Sequence, residues 1–309
     1  MALDVRPIIP SRFFGHKSRG AVPSSRIGAY IALMKLRVVE LLLVTTVPTM
    51  VLAEGGWPSI QLMAITLIGG TLAAGGANAI NMYIDRDIDK LMVRTQNRPL
   101  VTGALTPRAA MIFAIGLEIV AFLVLWAGAN LLAAVLAVSA TLFYVFVYSL
   151  WLKRTSKQNI VIGGAAGAMP VLVGWAAVTN SLGWAPVVLF IVIFLWTPPH
   201  FWALAIRHAD DYKAAGVPMM PVVVSLERTV RSMTTYAVLL TLSTLVLVPV
   251  AELGWIYGIT ALVFGVAFVI GSVRLGSDPS PKRSMRLFTF SITYVTAVFV
   301  ALTVDVLLR

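Results

Sequence analysis

Apolar runs dominate the chain. Nine stretches, at 28–52, 59–84, 108–127, 130–150, 159–179, 186–206, 232–252, 255–273 and 286–308, are separated by polar connections that alternate between short and long. Each comes close to or exceeds the roughly 20 apolar residues that a helix needs to cross a bilayer. Backbone exposed to lipid must satisfy its hydrogen bonds internally, so helices are the expected form. The pattern predicts an all-α, polytopic integral membrane bundle of nine transmembrane helices. Residues 1–27 form a polar N-terminal tail and residues 28–309 a single domain. Thr106-Pro107 predicts where the third span starts, a cap followed by proline at the first helical position.

Composition agrees: 59% of residues are hydrophobic, 12% are charged and the mean hydropathy is +0.90, which excludes an ordinary soluble domain. The net charge of +11 raises the question of nucleic acid. On the nine-span map, however, 23 of the 24 lysines and arginines fall in the tail, near the start of the first span, or around the connections on one side; only Arg309 lies on the other. This asymmetry is the signature of membrane orientation, with the N-terminus and the basic loops in the cytoplasm. The expected setting is the cell inner membrane, crossed many times, with the bilayer as partner and no nucleic acid. The absence of cysteine excludes disulfides and thiolate metal sites. The tail lacks an apolar core, so it is not a secretory signal. Its arginines and serines faintly resemble a transit peptide, and a short cytoplasmic tail accounts for them at least as well.

Candidate chemistry collects on the basic side. In NAINMYIDRDIDKLMVRTQNRPL, Asn81, Asp85 and Asp89 are spaced by four, so a helix would carry them up one face, with Asp87 pointing elsewhere. Two carboxylates at a membrane surface repel each other, and a divalent cation relieves the repulsion; Mg²⁺ bound by carboxylates and substrate phosphates is the usual form. Arg94 and Arg98 follow, suited to a diphosphate. Lys153 and Arg154, in YSLWLKRTSKQN, read either as phosphate contacts or as orientation charges.

The second cluster is TPPHFWALAIRHADDYKAAGVPMMP, at the end of the sixth span. Pro198-Pro199 should kink the span or free carbonyls. Arg207 and Asp211 are spaced to share a helix face, as an ion pair or as ligands, with Asp210, Tyr212 and Lys213 beside them. Two acidic clusters at the same ends of even-numbered spans suggest two walls of one pocket. Glu118 and Glu40 lie within spans and stay outside the expected site.

With both clusters in view, residues 28–308 resemble the UbiA superfamily of intramembrane prenyltransferases, nine-helix bundles with N-x-x-x-D-x-x-x-D after helix two and an acidic motif after helix six. The stretches KLRVVELLLVTTVP, NRPLVTGALTP and KQNIVIGGAAGAMPVLVGWAAVTN, with the second cluster, are similar to its haem-farnesylating branch. One departure stands out: Arg207 occupies the position where members acting on hydroxybenzoate carry the first aspartate of the second motif. The resemblance implies transfer of a farnesyl group from farnesyl diphosphate to a vinyl group of haem b, with Mg²⁺ as cofactor. Asn81, Asp85, Asp89 and Asp211 would hold the metal, Arg94, Arg98, Lys153, Arg154, Arg207 and Lys213 the diphosphate, and His200 and Tyr212 would contact haem. It also implies a role in haem-copper oxidase biogenesis, and a handover partner such as a haem A synthase or an oxidase-assembly factor. Prenylation of a quinone precursor and, from another class, membrane transport stay open as alternatives.

Overall fold

The computed structural model describes residues 25–278 and 280–309, apart from the side chains of residues 37–43. Residues 1–24 of the expected tail and the side chain of Glu40 therefore lie outside the described residues. Ten helices build the bundle: α1 (Arg26–Met34), α2 (Leu36–Glu54), α3 (Ile60–Ile84), α4 (Pro107–Gly128), α5 (Leu131–Thr155), α6 (Asn159–Thr179), α7 (Trp184–Arg207), α8 (Leu226–Val250), α9 (Trp255–Ser277) and α10 (Pro281–Leu307). Among the described residues, eight of them, α3 to α10, are long and apolar enough to cross a membrane. The protein is an all-helical, multi-pass membrane protein.

The first expected span, a single helix over 28–52, is instead two helices. Lys35 separates α1 from α2 in a left-handed backbone conformation, φ 52° and ψ 52°. That conformation costs a residue with a side chain about 1–2 kcal/mol. Hydropathy cannot register such a break, because the residues on both sides remain apolar. The seventh and ninth spans start earlier than expected, at Leu226 and Pro281, because their first turns are charged. Ser225 and Ser280 cap them, each accepting a backbone N–H three residues on. Thr106 caps α4 as the sequence predicts, its hydroxyl accepting from the amide of Ala109 at 3.2 Å. Pro198 and Pro199 do not end α7, which runs unbroken through both.

Packing proceeds hairpin by hairpin: α3 lies along α4, α5 on α6, α6 on α7, α8 on α7 and α9, and α9 on α10, while α2 closes the bundle against α3, α6 and α10. Trp202, Phe268, Tyr257, Tyr294 and Phe299 fill the core between α7 and α10. The two tyrosine tips are satisfied: the Tyr257 hydroxyl donates to the Thr244 carbonyl at 3.1 Å, and the Tyr294 and Thr244 hydroxyls share a bond at 3.1 Å. Apolar side chains such as Ile112, Ile119, Leu123, Leu262 and Val266 face outward, as lipid contact requires. Trp57, Trp184 and Trp255 stand exposed beside the short connections, the place of an interfacial aromatic belt. Glu118 is half-buried between helices and accepts from the Thr141 hydroxyl of α5 at 3.1 Å; Gly76 of α3 lies so close to its carboxylate that no Cβ fits between.

At the end of the bundle away from the long loops, the Asp305 carboxylate in α10 accepts the backbone amides of Gly254 at 2.6 Å and Tyr257 at 3.3 Å, and pairs with Arg309 at 2.6 Å. It caps α9 from a neighbouring helix. Asp305→Ala should cost about 1–2 kcal/mol, the loss of a good cap. Thermal denaturation in detergent should show a lower midpoint, while activity per folded molecule stays at the wild-type level.

Candidate active site

Helix α3 ends at Ile84, yet the spacing of its polar residues survives. The amide of Asp85 still bonds the Asn81 carbonyl at 2.9 Å, and that of Asp89 bonds the Asp85 carbonyl at 2.8 Å. Those two bonds carry the four-residue step past the helix end into a short 3₁₀ turn, Ile88–Lys90. Asn81, Asp85 and Asp89 consequently sit together, and all three are buried.

Each carboxylate meets cations from other parts of the chain. The Lys153 ammonium pairs with Asp85 Oδ2. One Arg98 nitrogen bonds both oxygens of Asp89, at 2.8 and 2.6 Å. Lys35, at the break in the first span, donates to Asn81 Oδ1 at 2.9 Å. The amide nitrogen of Asn81 then faces Asp85 Oδ2 at 2.8 Å and the Ser149 hydroxyl at 3.0 Å. Asp85 Oδ1 is buried and accepts no hydrogen bond; the Arg154 guanidinium lies 3.9 Å away. Three cations thus face two carboxylates in a nearly enclosed site, leaving a surplus of positive charge and one unpartnered anionic oxygen.

Arg154 makes its main contacts with Asp87, forked across both oxygens at 2.7 Å each, and holds that carboxyl well below the usual carboxylate range. This pair is largely open to solvent and adds little stability. Lys153 and Arg154 follow a π-helical stretch of α5, Phe143–Leu152, where the Ser149 hydroxyl donates to the Tyr144 carbonyl at 2.9 Å. Tyr144 and Tyr148 stack there, with ring centres 5.4 Å apart. Such wide turns concentrate at functional sites. The apolar run over 130–150 gives no hint of it.

The second cluster meets the first through backbone. Asp211 accepts the amides of Val93 at 3.2 Å and Arg94 at 3.4 Å, so it fastens the loop carrying Arg94 and Arg98. Beneath both loops, Ile88, Met92, Ile160, Ala205, Val217 and Met219 form one small core. The expected shared face of Arg207 and Asp211 is not formed: the chain leaves helical geometry at His208, φ −109° and ψ 26°, and Asp211 falls in a separate helix, Ala209–Ala214. Arg94, Arg207, Asp210 and Lys213 are exposed at the rim, and Tyr212 is half-buried beside the small core.

His200 lies deeper. Its ring is sandwiched between Trp196, 4.1 Å centre to centre, and Phe288 at 4.4 Å. Its Nδ1 is 2.6 Å from the Ser291 hydroxyl, which lies 2.6 Å from the Phe288 carbonyl. The hydroxyl's single proton goes to that carbonyl, so Nδ1 donates to the hydroxyl oxygen and Nε2 keeps the lone pair. Sequence reasoning missed two residues of this cluster, Lys35, taken for an orientation charge, and Ser149. A lysine set in an apolar run two residues before Arg37 was the available signal for the first.

Comparison with known proteins shows the family and the fold. The model of the UbiA prenyltransferase family matches residues 42–296. A protoheme IX farnesyltransferase of Frankia casuarinae is 54% identical over 290 residues, covering 92% of this chain and 99% of that protein. Among solved structures, a digeranylgeranylglyceryl phosphate synthase superposes with a TM-score of 0.76 at 18% identity, over 92% of this chain and 99% of that one. A UbiA homologue from Archaeoglobus fulgidus, solved with GPP and Mg²⁺, gives 0.66 at 18% identity, over 89% and 99%. At that identity the structures show the fold.

The rim also carries a pH response. Burial, then the charges of Arg94 and Arg207, lower the pKa of His208 from its ordinary 6.5, against the pull of Asp211. The unfolded chain takes up this proton at higher pH than the folded one, so the stability involved is complete above that value and declines as pH falls. The thermal midpoint should drop between pH 7 and pH 5, and His208→Gln should flatten part of that drop. An unchanged slope in the variant would contradict the assignment.

Proposed function

The chain belongs to the UbiA prenyltransferase family, and we propose that it transfers the farnesyl group of farnesyl diphosphate to a vinyl group of haem b, releasing diphosphate. The observation that carries the reading is the charge arrangement at the end of α3: Lys35, Arg98 and Lys153 converge on Asp85 and Asp89, with Asp85 Oδ1 left unpartnered. A cation-rich, largely buried cluster suits a polyanion, and a bare carboxylate oxygen suits a hard metal ion. The names of the 54%-identical relative and of the A. fulgidus complex with GPP and Mg²⁺ support the substrate and the metal.

In this reading Asp85 and Asp89 hold Mg²⁺, with Asn81 as a neutral oxygen donor. The donor set fits: every group is a hard oxygen, and the carboxylates already lie together. Bound there, the ion would neutralise charge on the departing diphosphate. The protein's own residues do the rest. Arg98 and Lys153 give charge-assisted hydrogen bonds to phosphate oxygens, sharing them with the carboxylates they hold now. Asp211 keeps the loop of Arg94 and Arg98 in place through the backbone. Arg94, Arg154, Arg207 and Lys213 line the rim, where the diphosphate enters and haem propionates rest.

The allylic C–O bond breaks with its electron pair leaving on diphosphate, and the vinyl π electrons form the new C–C bond. Water then adds to the cation left beside the porphyrin and loses a proton, giving the hydroxyethylfarnesyl side chain of haem O. Until the vinyl group attacks, the apolar bundle must keep water from the allylic cation. The stacked Tyr144 and Tyr148 offer aromatic faces close to the carboxylates. No acid–base pair is required. Nε2 of His200 has the lone pair an iron ligand needs, and Tyr212 is placed for a rim contact; neither is assigned a step.

We place the site on the cytoplasmic face of the cell inner membrane, because the basic loops surround it. Its product would feed haem-copper oxidase biogenesis.

Purified protein incubated with farnesyl diphosphate, haem b and Mg²⁺ should yield haem O by mass analysis, and chelation should stop the reaction. Asp85→Asn and Asp89→Asn should each lower the rate by about 10² or more, as loss of electrostatic stabilisation of a leaving group does. Prenylation of a hydroxybenzoate with haem ignored would overturn the substrate assignment.

A further inference from the structure

Lys35 interrupts a span that hydropathy would keep whole, and the interruption points its side chain into the site. The turn is pinned from several directions. Asn78, one turn before Asn81 on α3, donates to the Met34 carbonyl at 3.1 Å. Ala29 and Leu33 of α1 join a buried cluster with Met82, Leu100, Leu105, Ala110 and Ala114. A backbone conformation this unfavourable persists only where its surroundings enforce it, and such places concentrate at functional sites.

The turn delivers an ammonium to Asn81 Oδ1, 2.9 Å away. The other end of the amide is taken by Asp85 and Ser149. While its oxygen carries that cation, Asn81 is a poor metal ligand, because a divalent ion and an ammonium side by side repel each other. The lysine stem has four rotatable carbon–carbon bonds and an ammonium that pairs equally well with phosphate oxygen. A diphosphate entering beside Arg98 and Lys153 would offer such oxygens within the same cluster.

We propose that Lys35 is a resident cation that holds the asparagine oxygen and passes to the diphosphate when metal and diphosphate bind together. Metal alone then binds poorly, because Lys35 has nowhere to go. Diphosphate supplies the destination and frees the asparagine. Each ligand tightens the other, and the coupling is reciprocal. This inference rests on the metal–diphosphate reading of the site.

The test uses the full-length protein in detergent, Mn²⁺ as a paramagnetic probe and farnesyl thiodiphosphate as an unreactive analogue. In the wild type, the analogue should tighten Mn²⁺ binding by about tenfold or more, within the usual range of coupling between sites. In Lys35→Met, Mn²⁺ alone should bind about threefold or more tightly than in the wild type, and the effect of the analogue should shrink to a similar factor. Lys35→Arg, which keeps the charge, should restore weak binding of the metal alone. Should Lys35→Met fail to fold, Lys35→Gln carries the same expectation. Weaker binding of Mn²⁺ alone in the uncharged variant would overturn the proposal and leave Lys35 a structural residue. If the wild type shows no Mn²⁺ binding even with the analogue, the underlying metal–diphosphate reading fails instead.

Discussion

Two carboxylates buried at the end of a membrane helix are the constraint around which the rest of the structure is arranged. Removing Asp85 and Asp89 from water is costly unless opposite charge and hydrogen bonds come with them. The compensating groups come from separate segments: Lys35 from the break between α1 and α2, Arg98 from the loop after α3, and Lys153 from the end of α5. Satisfying that pair therefore fixes the relative position of three helices and a loop. The neighbourhood shows how fully the need is met. Ser149, Asn81 and Asp85 form one hydrogen-bonded chain, and a single carboxylate oxygen stays without a partner.

The same constraint explains departures from regular helix geometry that would otherwise look like defects. A left-handed residue in the first span, a π-helical stretch in α5 and a helix end carried on as a 3₁₀ turn all occur around this one site. Each lies at the basic end of the bundle; the opposite end has short connections, two of them turned by left-handed Asn180 and Glu252, and side-chain caps from Asn130 and Asp305. Asp211 contributes at second hand. Its hydrogen bonds to Val93 and Arg94 secure the loop, and the loop presents Arg98 to Asp89.

Much of this is legible in the sequence because membrane helices write their length and spacing plainly. The apolar runs give the helices α3 to α10, and the four-residue spacing of Asn81, Asp85 and Asp89 gives their common side. What stays hidden depends on backbone conformation that residue type does not encode. Lys35 reads as an orientation charge because a lysine near a span end usually is one; only its left-handed turn aims it inward. Arg207 and Asp211 have helical spacing, but His208 leaves the helix between them. Pro198 and Pro199 suggest a kink or freed carbonyls, and the helix continues through both to Arg207. The sandwich of His200 between Trp196 and Phe288 brings together residues 88 positions apart, beyond any local pattern.

The proposed activity requires the buried carboxylates and their cations to receive a metal-bound diphosphate at the basic end of the bundle. A crystal or cryo-electron microscopy structure with Mg²⁺ and farnesyl thiodiphosphate tests this most directly. It should show the ion on Asp85 and Asp89, phosphate oxygens against Arg98 and Lys153, and the apolar tail running into the bundle. Density for the diphosphate at the opposite end, or on the outer face beside Tyr83 and Arg86 with the carboxylates still paired only to their cations, would contradict it.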